Sequence, residues 1–438
     1  MLSSPHLKIA IVGAGWSGLA AAVTATDGGH RVTVFEMAAQ PGGRARQIAK
    51  ASPLEQAPDN GQHLLIGAYR ETLRLMAHVG VKVQDVFHRT PLHLVDAQGQ
   101  GLLLPPGSPT LSFLRGVWAH PHWSRRQRMS LLLRAVYWRG QGFRCASSLT
   151  VDQLTRDLPA VIREELIEPL CVAALNTPSH EACAQVFLRV LKDAMLSGPG
   201  SADLLFPRTP LSDLWPAPAM QWLQHRGASL RLKHRVSELQ RMDGQWQVDG
   251  EPFDAVILAC TPTEAARLTR KIAPWWAEQA SRIEYEPIAT IYTLSPGSRL
   301  PTPMVQLTSD EHTRPAQFVL DHSHWGPSQG MLAFVVSGAR GWSERGHAAL
   351  QDATLRQAHE ALGPWLRAPL RCLHTLIDKR ATFRCTPGLL RPSAHIASGL
   401  HAAGDYIEGP YPATLEGAMR AGIRAAQQLV LHQLTSLG

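Results

Sequence analysis

Three glycines, Gly13, Gly15 and Gly18, followed by an acid at Glu36, have the types and spacing to hold a dinucleotide. Gly13 allows a tight turn, Gly15 lets the backbone approach a pyrophosphate, and Gly18 lets the following helix sit close to its strand. The positive N-terminus of that helix then faces the phosphate charge. Glu36 stands at about the 20-residue distance expected of a carboxylate that holds a ribose hydroxyl pair, and it would repel a phosphorylated ribose. Elements to position these groups are present in order. The apolar run Ile9-Ala10-Ile11-Val12 enters Gly13-Ala14-Gly15-Trp16-Ser17-Gly18, a small-residue helix follows, and Arg31-Val32-Thr33-Val34-Phe35 leads into Glu36.

A second constellation, near the C-terminus, narrows the nucleotide to a flavin. Ala402-Ala403-Gly404-Asp405 ends a strand, a loop passes Pro410 and Pro412, and a small-residue helix begins near Ala413. Asp405 can accept a hydrogen bond from a ribityl hydroxyl, and the positive end of that helix can face the N1/C2 edge of the ring. Such a field stabilises an anionic reduced flavin, the form that donates hydride. The plainer alternative is an ordinary terminal helix docked on a sheet. Pairing of Gly404-Asp405 with Glu416-Gly417-Ala418 favours the flavin.

At 438 residues the chain can hold two cores, because single cores seldom grow past about 250 to 300 residues. Six cysteines form no C-x-x-C pair and accompany no His-rich spacing, so no metal site and no disulfide framework is expected. A reducing cytoplasm fits that usage. The first residues lack a signal-peptide pattern, and no run approaches the ~18 apolar residues that span a bilayer, so a soluble or peripheral protein is expected. Net charge is +8 and the pI about 9.4. The basic residues belong to no recognition module interleaved with aromatics, which argues against nucleic acid. Residues 111–140 mix Leu111, Phe113, Leu114, Trp118, Trp123, Leu131, Leu132, Leu133 and Trp138 with Arg115, Arg125, Arg126, Arg128, Arg134 and Arg139. The mixture suits an anionic membrane surface, such as the inner face of the cytoplasmic membrane. It also suits apolar residues packed inside a domain beneath solvated arginines.

The predicted fold class is α/β. A Rossmann-type FAD-binding domain would be assembled from discontinuous segments, 1–80, 220–270 and 395–438, and an α+β substrate domain from 81–219 and 271–394, helix-rich over about 108–205. Short strands are expected at Ser229–Leu232, Val236–Leu239, Trp246–Val248, Ala255–Ala259, Ala289–Leu294 and Leu332–Val336. Pro105-Pro106 and Pro216 to Pro218 are expected in loops.

Taken together, GAGWSG at 13–18, Glu36, PGGRAR at 41–46, DNGQHLLIGAY at 59–69, PLCVAALNTP at 169–178, KRATFRCTPGLLRP at 379–392 and AGDYIEGPYPATLEGAMRAG at 403–422 resemble the FAD-dependent hydroxysqualene dehydroxylases of bacterial squalene and hopanoid synthesis. The glycine motifs are shared with the wider amine oxidase and carotenoid desaturase superfamily, whereas DNGQH and PLCVAALNTP are narrower. The resemblance covers nearly the whole chain. It implies an amine oxidase-like fold, FAD as cofactor, and reductive removal of the hydroxyl of hydroxysqualene, a C30 isoprenoid alcohol, to give squalene and water. With one glycine fingerprint and no second dinucleotide domain, electrons would come from an external donor or reductase, and other squalene-pathway enzymes are implied as partners.

The same resemblance implies residue roles. Gly13, Gly15, Ser17 and Gly18 would hold the pyrophosphate and Glu36 the adenosine ribose. Gly43, Arg44 and Arg46 form the Gly-Gly-Arg loop, whose guanidinium pairs with phosphate or packs along the flavin edge. Val236 matches a strand whose backbone meets the adenine, Gly61 lies in the loop beside the ring, and Gly404, Asp405, Thr414, Leu415 and Ala418 close over the ribityl chain and ring. Catalysis would fall to Asp59, Gln62 and His63, with His63 the best general acid by unperturbed pKa. A structural His63, and an Asp59 that caps the helical turn after it, are the plainer readings. Tyr411 is a further candidate proton donor.

Three rival functions share some of these features. An amine oxidase would place an aromatic residue in a Gly-Tyr-x-Glu-Gly-Ala pattern where Ala413-Thr414 stand here. A carotenoid-type desaturase shares the fold and a lipid tunnel but runs the flavin oxidatively. A non-catalytic flavin-fold carrier would present the lipid to other enzymes.

Overall fold

The computed structural model describes residues 6–48, 58–326 and 329–436. Strand β1 (Lys8–Val12) feeds α1 (Trp16–Asp27), which returns into β2 (Arg31–Phe35). Helices α2 (Arg70–His78), α3 (Pro109–Ala119), α4 (Arg125–Gly140), α5 (Ala184–Leu196) and the short α6 (Leu211–Leu214) precede β3 (Ser229–Arg231) and β4 (Ala255–Leu258). A run of strands follows: β5 (Tyr285–Leu294), β6 (Met304–Gln306), β7 (Phe318–Asp321), β8 (Met331–Val336) and β9 (Arg371–Phe383). Strands β10 (His395–Ala397) and β11 (Leu400–Ala402) and helix α7 (Leu415–Ser436) come last.

The first sheet has the order β10-β11-β4-β1-β2-β3. Its pairings are parallel except at the β10 edge. A parallel strand covered on both faces must be apolar throughout, and Ile9, Ala10 and Ile11 are fully buried. Helix α1 covers one face and is itself gripped by α7. A Cβ on Gly422 would stand 2.1 Å from the Ser17 carbonyl oxygen, so a residue without a side chain is required for these helices to touch. The C-terminal helix is thereby locked onto the first helix of the chain.

The second sheet, β6-β7-β8-β5-β9, is antiparallel. Alternation along its strands sends residues to two separate cores. Ile291, Val319 and Phe334 face one with Leu350 and Leu362; Tyr292, Phe318, Leu320 and Ala333 face the other, with Phe206, Trp138 and Leu131. The α/β class with a parallel sheet is as expected from the sequence.

Several local expectations are corrected. Val236–Glu238 is not a strand, because the Asp249 carboxylate takes the N–H groups of Ser237 and Glu238 that a ladder would have used; the strand there spans Leu239–Met242. Pro216 and Pro218 lie in a helix, Pro216–His225. They occupy its first turn, where the missing N–H costs nothing. Helix α7 begins at Leu415 rather than near Ala413, whose φ of 55° is left-handed. The set at 111–140 divides: Trp123, Leu131 and Trp138 are buried, while Leu111, Leu114, Trp118 and Leu133 are exposed.

Candidate active site

The turn after β1 is tight because Gly13 adopts φ 113°, with no room for a Cβ against the Ala259 carbonyl. Gly15 is the N-cap of α1 and supplies no capping side chain. First-turn N–H groups have no acceptor within a helix, and the Ser17 hydroxyl beside them is buried without a hydrogen-bond partner. Glu36, also buried, accepts from the N–H of Ala14 at 2.7 Å and of Ala38 at 2.8 Å. Each carboxylate oxygen retains a lone pair for a further hydroxyl. The loop after β2 closes on the turn, Gly42 N–H donating to the Ala14 carbonyl at 2.8 Å and Gly43 Cα lying 3.8 Å from where a Gly15 Cβ would be. A side-chain-free cradle, an orphaned hydroxyl and an acid with spare acceptors fit the diphosphate and ribose of FAD.

The two ends of the chain also meet through charge. Arg44 Nη2 donates to Asp405 Oδ1 at 2.5 Å, and its Nη1 to the Ala381 carbonyl at 3.0 Å. The two groups read separately as phosphate and ribityl partners are here partners of each other. Arg46 makes no side-chain ion pair among the described residues, and its carbonyl accepts from the Asn60 N–H at 2.8 Å. Gly404 and Asp405 follow β11 after one residue, Ala403. Thr414 is the residue before α7, its Oγ1 accepting from Gly417 N–H at 3.0 Å. Leu415 and Ala418, on the first turn, are half-buried. Val236 is buried in a loop, its carbonyl taking Arg267 Nη2 at 2.6 Å. Tyr411 is turned toward α5: its hydroxyl accepts from Arg189 Nη2 at 2.9 Å, and its ring lies between Arg189 and Arg420.

The segment Asp59–His63 lies under β5. Tyr292 Oη donates to the Asp59 carbonyl at 3.4 Å and Thr290 Oγ1 accepts from Gln62 N–H at 3.4 Å. Asp59 Oδ1 accepts from the N–H of Leu211 at 3.0 Å. Asp59 therefore caps a helix, but it is α6, 152 positions on, rather than the turn that follows it. Burial pushes the Asp59 carboxyl up to about 7, against the opposing pull of the Leu211 N–H. His63 Nδ1 lies 3.2 Å from the Gly61 carbonyl, which can only accept, so that nitrogen carries the proton. Burial holds His63 below its ordinary value. Both observations disfavour the protonated imidazole, which moves the candidate proton donor of this loop from His63 to Asp59.

The sequence reading missed His322, which stands just after β7. Its Nε2 is 3.0 Å from Gln62 Oε1, and burial lowers it to about 4. Since the amide oxygen only accepts, His322 donates, and the Gln62 amide nitrogen is left to donate elsewhere. Trp325 packs on His322 and on Phe206, with centroids 5.0 and 4.8 Å apart, and gives the polar loop an aromatic wall. Glu416, part of the C-terminal motif, has a second role that the motif does not show. Fully buried at the start of α7, it accepts from Glu71 N–H, Thr72 N–H, Thr72 Oγ1 and Arg420 Nε, and so caps α2. No local pattern flags a contact spanning 345 positions. Among the described residues no cluster suited to a metal ion occurs, and no helix is long and apolar enough to cross a membrane.

Comparison with known proteins agrees with this geometry. The model of the flavin containing amine oxidoreductase family matches residues 16–430. Hydroxysqualene dehydroxylase of Sinorhizobium fredii is 26% identical over 96% of this chain and 97% of its own length. A 15-cis-phytoene desaturase of an Oncidium hybrid cultivar is 22% identical over 97% of this chain and 78% of its own. Among solved structures, an oxidoreductase from Methanosarcina mazei superposes with a TM-score of 0.71 at 16% identity, covering 96% of this chain and all of that one. A nucleotide cradle built from the first turn of the fold and a family match over most of its length lead to one conclusion: the chain belongs to the flavin containing amine oxidoreductase family and is an FAD-dependent oxidoreductase.

Proposed function

We propose that the chain removes the hydroxyl of hydroxysqualene reductively, giving squalene and water. The observation that carries this reading is a half-buried carboxyl, Asp59, raised to about 7, in the same short loop as Gln62, whose amide oxygen is held by His322 against the aromatic wall of Trp325. Similarity to a hydroxysqualene dehydroxylase over nearly all of both chains supports it. When bound and reduced, FAD supplies a hydride. The balance is one C–O bond broken, one C–H bond formed, and one proton added to the leaving oxygen. Because the hydroxyl of that substrate is on an allylic carbon, its departure leaves a delocalised cation.

In this scheme Asp59, protonated near neutrality, gives its proton to the leaving oxygen, and the Gln62 amide, held by His322, donates a hydrogen bond to the same oxygen. Tyr292, Phe206 and Trp325 exclude the water that would otherwise capture the cation. Gly13, Gly15, Ser17 and Gly18 hold the diphosphate, and Glu36 the ribose. Arg44 and Asp405 close the loops of the two chain ends around the site. Segments 1–80, 220–270 and 395–438 form the cofactor part in this proposal, and 81–219 with 271–394 the substrate part.

Anaerobic holoenzyme, photoreduced and mixed with hydroxysqualene, is expected to yield squalene, read by gas chromatography. Product with additional double bonds would move the assignment to the desaturase reading, which the phytoene desaturase similarity keeps as the second choice.

A further inference from the structure

The charge of this chain is unevenly placed. Between Ala97 and Val151 there are seven arginines and no Asp, Glu or Lys, so one stretch holds almost all of the net +8, and the remainder of the chain is close to neutral. The stretch contains α3 and α4, and both turn an apolar row outward. On α3, Leu111, Leu114 and Trp118 recur at the spacing of one helical face; on α4, Met129, Leu133, Val136 and Tyr137 do the same. Leu103, from the strand beside α3, is also exposed. Trp118, Leu133 and Val136 are 51, 62 and 65% exposed, values at which a soluble surface ordinarily presents polar groups.

The charged residues on these helices divide in the same way. Arg128 binds the His120 carbonyl and Arg134 pairs with Asp157. Arg115, Arg125, Arg126 and Arg139 are exposed and, among the described residues, pair with no carboxylate. The helices are anchored from behind: Val117, Trp123, Leu131 and Trp138 belong to the apolar core that also holds Tyr292 and Phe206. The outward rows are therefore not needed to fold the two helices.

We propose that the outer face of α3 and α4 docks on an anionic lipid bilayer, with Leu111, Leu114, Trp118, Leu133 and Val136 entering the headgroup boundary and Arg115, Arg125, Arg126 and Arg139 meeting lipid phosphates. Charge of a single sign around an apolar stripe is the complementarity that such a surface offers. A protein partner or a second copy would leave four unpaired guanidiniums to be matched by carboxylates that this stretch itself lacks. The inference goes beyond the proposed reaction and does not depend on it. Because its buried side is continuous with the wall of the candidate site, the docked face would bring that site next to the bilayer.

Sedimentation of the FAD-loaded protein with phosphatidylcholine vesicles, with and without phosphatidylglycerol, tests this without substrate. Strong partition to the anionic vesicles is expected, reduced by at least about tenfold on neutral ones and in Arg115→Gln/Arg125→Gln/Arg126→Gln/Arg139→Gln. Trp118→Ser/Leu133→Ser/Val136→Ser should lose partition to a similar degree while keeping FAD content. Brominated lipid should quench a tryptophan signal that Trp118→Phe removes. Equal binding to neutral and anionic vesicles, or unchanged partition in both variant sets, would overturn the proposal. So would a dimer in sedimentation velocity that the same apolar substitutions dissolve, since the face would then belong to a second copy.

Discussion

Asp59 is the residue on which the proposed chemistry turns, and its two roles can be separated. Its carboxyl caps α6 through Leu211 N–H and, because burial raises it to about 7, it also holds a transferable proton near neutrality. Asn at this position keeps an acceptor for Leu211 but carries no such proton. We expect Asp59→Asn to fold, to bind FAD, and to lose about 10²- to 10⁴-fold in single-turnover rate. The sign of the pH dependence follows from the raised carboxyl. The active form is protonated, so the wild-type rate should be flat below about pH 7 and fall about tenfold per unit above it, with that break absent from the variant. A break of the same sign but at lower pH, retained in Asp59→Asn, would return the acid role to an imidazole. His63 illustrates why the sequence misleads at this scale: its unperturbed pKa is suited to the task, but burial lowers it in a loop that meets β5, more than two hundred positions away.

Elements that are local in sequence were legible, and those that depend on distant partners were not. The β1-turn-α1 unit announces itself through an apolar run and three glycines, because each requirement of that turn is met within a few residues. The α2 helix does not. Its N-terminal residue before the first turn, Tyr69, offers no capping side chain, and the carboxylate that satisfies Glu71 and Thr72 comes from Glu416 at the start of α7. We expect Glu416→Gln to cost about 2 kcal/mol, because a fully buried charged acceptor serving four donors becomes a neutral one. Hydrogen exchange of the α2 amides measures it: protection should fall there and at the α7 start, and stay unchanged in β5 and β9. Val236 shows the converse error: a short strand is expected at Val236–Leu239 from the sequence, where the Asp249 carboxylate claims the backbone donors.

For the molecule as a whole, one sheet carries the glycine cradle, and the sequence offers a single glycine fingerprint. NADPH alone is expected to leave the oxidised flavin spectrum unchanged in anaerobic stopped-flow, with bleaching only after a reductase is added; rapid bleaching without one would contradict this. The same sheet has a consequence for biogenesis. Strand β1 is flanked by β2, 19 residues further along, and by β4, whose partner β11 begins at Leu400. A ribosome delivers these pieces in sequence order, so the first strand emerges with one neighbour at hand and waits for some 240 more residues for the other. The sheet is completed, and the first helix covered, only when β11 and α7 have been made. Nascent chains of this protein should therefore depend on holding factors until α7 emerges, and deleting α7 should harm the glycine cradle on β1 and α1 most.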